Sequence, residues 1–216
     1  MKMSPYDNAL RAEAAAGQDA GIKVVRQRPS REEAEAAVRT LIEWAGDDPD
    51  REGLVETPER VVRSYEELFK GYSSDPQVYL ERVFEETADY HEMVLLKNIR
   101  MESHCEHHML PVIGKVSVAY MPNNRVVGVS KLARVVETFS KRLQIQETMT
   151  AQIATTIQEV LEPKGVAVLV EAVHQCMTTR GVCKPGASMV TKSLTGCFKE
   201  DAELRKEFFD LVTKGD

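Results

Sequence analysis

Positive charge, aromatic side chains and long apolar runs are all scarce in this chain of 216 residues, of which only 6% are aromatic. Acidic residues outnumber basic ones, 34 against 28, so the formal net charge is −6 and no global positive field exists to hold DNA, RNA or an anionic lipid surface. Any anion site must therefore be local. The apolar runs are strand-sized, and no N-terminal stretch joins a basic start to an apolar segment. Neither a spanning helix nor a secretory signal is read, and the expected address is the cytosol. Cysteine is sparse as well. In that compartment Cys105, Cys176, Cys183 and Cys197 read as metal ligands, catalytic groups or buried thiols rather than as a disulfide framework. What is present is 43% hydrophobic residues, enough for one sizeable core without covalent staples.

Along the chain, residues 1–30 mix Ala, Gly and charged residues without sustained periodicity and read as a mobile or loosely docked arm. Ser30 and Glu33 then have capping-box spacing, and Ala34, Ala37, Val38, Leu41, Ile42 and Ala45 recur at helical intervals, which predicts a helix over 31–45. Thr57-Pro58 opens a second helix with Val61, Val62, Tyr65, Leu68 and Phe69 on one face, and Asp75-Pro76 opens a shorter third. Residues 31–90 thus form a helical region. From 91 to 216 the pattern predicts strands over 92–100 and 115–121, helices over 131–143 and 147–161, strands over 166–175 and 188–198, and a last helix over 201–213. The order ββααββα implies an α+β domain: an antiparallel sheet with helices on one face, whose other face or edges await cover by other subunits.

Chemistry-bearing residues concentrate in two places, Ser103-His104-Cys105-Glu106-His107-His108 and Val173-His174-Gln175-Cys176-Met177. Cys105 and His108 stand at i, i+3, so one helical turn aims a sulfur and an imidazole the same way. His174 and Cys176, two apart on a predicted strand, share one face of it. Two thiolates and one imidazole suit zinc, and three protein ligands leave a fourth position for water, the pattern of a catalytic site. The same spacing also fits a closed structural site with His107 as fourth ligand, or a Cys-His nucleophilic pair.

A second element is Gly128-Val129-Ser130-Lys131-Leu132-Ala133-Arg134. Ser130 is expected to cap a helix whose first turn carries Lys131 and Arg134. Cations there oppose the helix dipole, which makes sense when an external anion sits before the helix. Arg180 is a third candidate for that anion, and Arg60 and Arg63, one turn apart on the Thr57-Pro58 helix, are weaker ones. Gln146-Glu147 opens the next helix. A carboxylate there favours the dipole, and it also matches the paired ring N–H and amino donors of guanine.

Taken together, Gly53–Val61, Ser103–Pro111, Gly128–Arg134 and His174–Val182 resemble, in order and with compatible gaps, the signature segments of GTP cyclohydrolase I of the zinc-dependent type. The resemblance runs from about Arg31 to the C terminus. It implies hydrolytic opening of the guanine imidazole ring of GTP, release of formate, and reclosure to 7,8-dihydroneopterin triphosphate, the first step toward folate and related pterins. It further implies that Cys105, His108 and Cys176 hold Zn²⁺, that His107 and His174 transfer protons, that Gln146 and Glu147 recognise guanine, and that Ser130, Lys131, Arg134 and Arg180 clamp the triphosphate. The implied fold is the tunnelling fold. The implied assembly is a homodecamer of two pentamers with active sites between subunits, and no nucleic-acid or membrane partner. Two other readings compete: a related purine-nucleotide cyclohydrolase with a different end product, and a non-catalytic zinc-stabilised module.

Overall fold

A computed structural model describes residues 28–81, 83–84, 90–123 and 125–214. Most of the expected N-terminal arm lies outside the described residues. The chain divides into two compact units, Met1–Lys70 and Gly71–Asp216.

In the first unit, helix α1 (Arg31–Trp44) begins at the expected capping box: Ser30 Oγ accepts from the Glu33 amide at 3.2 Å while the Ser30 amide donates to the Glu33 carboxylate at 2.7 Å. Helix α2 (Thr57–Leu68) carries Pro58 in its first turn, where a missing amide hydrogen costs nothing, and its cap residue is Glu56 rather than Thr57. Pro58 is the only buried residue on these two helices, and Trp44 is 87% exposed.

The second unit supplies the sheet. After a short helix α3 (Pro76–Leu80) and strand β1 (Val83–Phe84) come β2 (Val94–Cys105), β3 (Pro111–Met121) and β4 (Val126–Val127). Helix α4 (Val129–Ser140), strand β5 (Leu143–Gln144), helix α5 (Gln146–Leu161) and strand β6 (Gly165–His174) follow. Helix α6 (Gln175–Thr178), strand β7 (Met189–Leu194) and helices α7 (Gly196–Glu200) and α8 (Ala202–Thr213) complete the chain. The five-stranded sheet runs β5-β2-β3-β6-β7. Its long strands are mutually antiparallel, β5 lies parallel to β2, and β1 pairs separately with β4.

Alternation along the strands builds two apolar layers. Val116, Val118 and Tyr120 of β3 and Val166, Val168 and Val170 of β6 face Leu132, Val135 and Val136 of α4 and Met149, Ile153 and Ile157 of α5, all of them buried. Each such aliphatic side chain contributes roughly 1.5–3 kcal/mol by leaving water. On the opposite face, Ala119 and Ala167 pack with Phe198, Phe208 and Val212, so α7 and α8 cover part of the face expected to await other subunits.

One irregularity decides where the site lies. Between the pairs Leu96↔Val118 and Ile99↔Val116, strand β2 holds one residue more than β3, a β-bulge at which Asn98 takes φ 59°. Asn tolerates that left-handed conformation better than most residues. Upstream of the bulge even-numbered residues of β2 face α4 and α5; downstream odd-numbered ones do, which turns Met101, Ser103 and Cys105 inward.

Candidate active site

Three strand ends meet at one edge of the sheet. His104 of β2 is paired with Pro111, and Val112 of β3 with His174 of β6, so the ladder itself aligns the ends of β2 and β6. Beyond Cys105 the chain makes a single tight turn, with the amides of His108 and Met109 both donating to the Cys105 carbonyl at 3.3 and 2.8 Å. This is the helical turn expected from the i, i+3 spacing, set at a strand end. Cys176, expected on the strand, instead sits in the short helix α6, because β6 ends at His174. The turn swings its side chain back toward Cys105.

The outcome is a three-membered cluster: the ligand atoms of Cys105, His108 and Cys176 all lie within 4.8 Å of one another. Cys105 Sγ stands 3.8 Å from His108 Nδ1. With metal–sulfur bonds of about 2.3 Å and metal–nitrogen bonds of about 2.0 Å, tetrahedral ligands sit roughly 3.5–3.8 Å apart, so the donors suit a borderline-soft cation. His107 Nδ1 approaches Cys105 Sγ to 3.7 Å but is not a member of the cluster, and its side chain is 63% exposed. The fit is therefore to three protein ligands. Burial, with the adjacent Cys105 thiol, pushes the Cys176 thiol up from its ordinary range, while the positive charge of Arg180 acts the other way.

Beside the cluster, Gln146 is only 3% exposed and opens α5. Its Oε1 lies 2.8 Å from His174 Nε2, and its Nε2 lies 3.0 Å from the Met189 carbonyl, 3.3 Å from that of Val170 and 3.1 Å from Thr191 Oγ1. Strand β5 brings α5 here, since Gln144 pairs with Cys105 and its carbonyl accepts the Glu106 amide at 3.2 Å. Burial holds the His174 imidazole below its ordinary pKa, partly opposed by the negative charge of Glu147. Thr150 and Thr191 complete this network and were not legible in the sequence, where two threonines on separate elements carry no motif.

Of the expected anion-binding residues on the second unit, Ser130, Arg134 and Arg180 are exposed. Helix α4 starts two residues earlier than expected: Gly128 is its cap, and Ser130 lies in the first turn. Its start is held by Tyr120, whose hydroxyl accepts the Val127 amide at 3.1 Å. Lys131 is half-buried, and the Arg134 guanidinium lies 5.7 Å from the Tyr79 ring centre. Arg180, exposed at the end of α6's turn, is the one cation of the set whose charge reaches Cys176. Arg60 and Arg63 belong to the first unit, where each pairs with the glutamate one turn earlier, Glu56 and Glu59.

Residues 34–213 match the family described as GTP cyclohydrolase I. A protein of Maricaulis maris named GTP cyclohydrolase 1 is 59% identical over 88% of this chain and 93% of its own length. One of Brucella suis with the same name is 55% identical over 89% of this chain and 91% of its own.

Proposed function

The chain belongs to the GTP cyclohydrolase I family, and from that membership we propose that it converts GTP and water to formate and 7,8-dihydroneopterin triphosphate, the first step toward folate and related pterins, with zinc held by Cys105, His108 and Cys176. The observation that carries this reading is the three-ligand cluster lying beside the half-buried His174, with no fourth protein ligand in the set.

Zinc in that cluster supplies Lewis acidity that makes water a nucleophile at neutral pH. Everything else falls to the side chains. His174 accepts a proton from the water that adds to C8 of the purine, and the exposed His107 supplies one to the ring nitrogen that must leave. Glu147 accepts the paired ring N–H and amino donors of guanine, while Gln146, whose amide is already engaged with His174 and the strands, forms the adjoining wall of the base pocket. Ser130, Lys131, Arg134 and Arg180 hold the triphosphate. That binding is remote from C8 and fixes its position.

The working form is a homo-oligomer in the cytosol, a decamer of two pentamers in which neighbouring subunits complete each site. Two features support it. β5 covers β2 only at His104 and Cys105, and β7 ends the sheet, so two strand edges carry unpaired backbone among the described residues. No described helix is long and apolar enough to cross a membrane.

Incubation of the zinc-loaded protein with GTP should release formate and, after oxidation, a fluorescent pterin. Formate without pterin would instead place the chain among cyclohydrolases with another end product, and neither product would leave a zinc-stabilised module.

A further inference from the structure

Arginines on the second unit are mostly engaged with oxygen. Arg100 and Arg125 pair with Glu102 and Glu162, while Arg142 and Arg205 donate to the backbone carbonyls of Gly71 and Phe198. Arg134 differs. No carboxylate or carbonyl among the described residues pairs with its guanidinium, which lies instead 5.7 Å from the centre of the Tyr79 ring. Tyr79 is placed there by the core. Asp75 caps helix α3, its carboxylate accepting the Gln77 amide at 2.9 Å, and Leu80 at the other end is fully buried in the same apolar layer as Leu132 and Val135 of α4. Between them the half-buried Tyr79 packs against that layer, so its ring belongs to the rigid body of the unit.

A ring and a carboxylate hold a guanidinium in different ways. A carboxylate occupies two of its N–H donors and cancels its charge, so an incoming anion must displace it. An aromatic face attracts the cation through the ring quadrupole, meets the flat side of the group, and leaves the donors around its edge and the whole positive charge available. Helix α4 has no acidic residue in its first turn, where Lys131 stands one turn before Arg134. The ring thus fixes where the cation sits without neutralising it.

We propose that Tyr79 is a positioning residue for the triphosphate of the substrate: its ring holds the Arg134 guanidinium by the face and presents its edge donors to phosphate oxygens. The pairing follows from the packing of α3 on α4 alone; its use in binding GTP rests on the cyclohydrolase reading above. Because the contact acts at the anion end only, it governs how tightly GTP is held and leaves the chemistry at C8 to other side chains.

The test uses full-length zinc-loaded protein in two measurements. In kinetics with GTP, and with inorganic tripolyphosphate as competing anion, Tyr79→Leu should raise KM and the tripolyphosphate Ki about two- to fivefold, the size of an exposed cation–π contact, with kcat little changed. Tyr79→Phe, which keeps the ring face, should restore both constants. In an Arg134→Ala background the Tyr79→Leu change should add nothing, since the partner is gone. In solid-state NMR of ¹⁵N-arginine-labelled protein, the Arg134 Nε proton, assigned by its loss in Arg134→Ala, should lie upfield under the ring current and return downfield in Tyr79→Leu. An unshifted Arg134 signal in the wild type overturns the proposal. So does a Tyr79→Leu change that leaves KM and Ki unaltered, or that raises them equally with and without Arg134, for then the ring serves only the fold. If Tyr79→Leu does not fold, Tyr79→Met takes its place and the wild-type spectrum still decides the pairing. A wild type that shows the shifted signal but makes no pterin counts against the cyclohydrolase reading and leaves the pairing standing.

Discussion

The two ends of the proposed substrate site are built in opposite ways. At the reacting end, Cys105, His174 and Gln146 are fixed by paired strands and partly buried hydrogen bonds, with neighbours on β2, β3, β6 and β7. At the anion end, Arg134 and Arg180 project from a helix start and a loop into solvent beside a half-buried Lys131, and Arg134 rests on an aromatic ring. Where a reacting carbon must be met within a fraction of an ångström, the fold over-determines the side chains. A triphosphate with its spread charge needs only cations within reach, and long flexible side chains provide that.

This contrast is broken most completely by removing a ligand. Cys105→Ser and Cys176→Ser should lose bound zinc and GTP turnover together while remaining folded; metal analysis and formate release check this, and full activity in zinc-free protein would rule out the metal's role. Next in size is Gly114→Ala. A methyl group there would lie 2.1 Å from the Glu171 carbonyl, between the strands that align His104 with His174, so the variant should lose about 3 kcal/mol in urea unfolding. Arg180→Ala should act at the other end alone, raising KM for GTP about tenfold with kcat nearly unchanged, in keeping with a lost bond between charged groups.

The smallest effect lies farthest from the chemistry. Hydrogen bonds from Arg51 hold the Asp47 carboxyl at about 2, aided by the Asp48 amide. Its folded-state value is depressed, so its contribution is present above the ordinary carboxylate range and is lost as the pH falls toward about 2. Wild type should be slightly more stable than Asp47→Asn at neutral pH, with the two melting temperatures converging in acid.

Much of the fold could be read in the chain because its signals are local. The Ser30/Glu33 box and the Val116-Val118-Tyr120 alternation both act within a few residues, and both appear in the structure. The strand over 92–100 runs on to Cys105 because its last residues are ordered by pairing with β3 and β5, partners distant in sequence. For the same reason the expected strand over 188–198 stops at Leu194 and turns into a helix at Gly196, whose φ of 48° suits glycine. Cys105, His108 and Cys176 were visible from residue type and spacing. The Thr150–Thr191–Gln146 circuit was not, since it exists only once β7 lies beside α5.

The extra residue at Asn98 has a consequence for any alignment or redesign of this chain. Deleting one residue there would leave every catalytic side chain in place on paper. It would also restore the simple two-residue count along β2, rotate the strand's inward set by one, and deliver the Cys105 sulfur to the side where the C-terminal helices lie. Such a deletant should fold its hairpin and bind no zinc. A census of motifs would pass it as intact, because the chemistry of residue 105 is decided by arithmetic seven positions upstream.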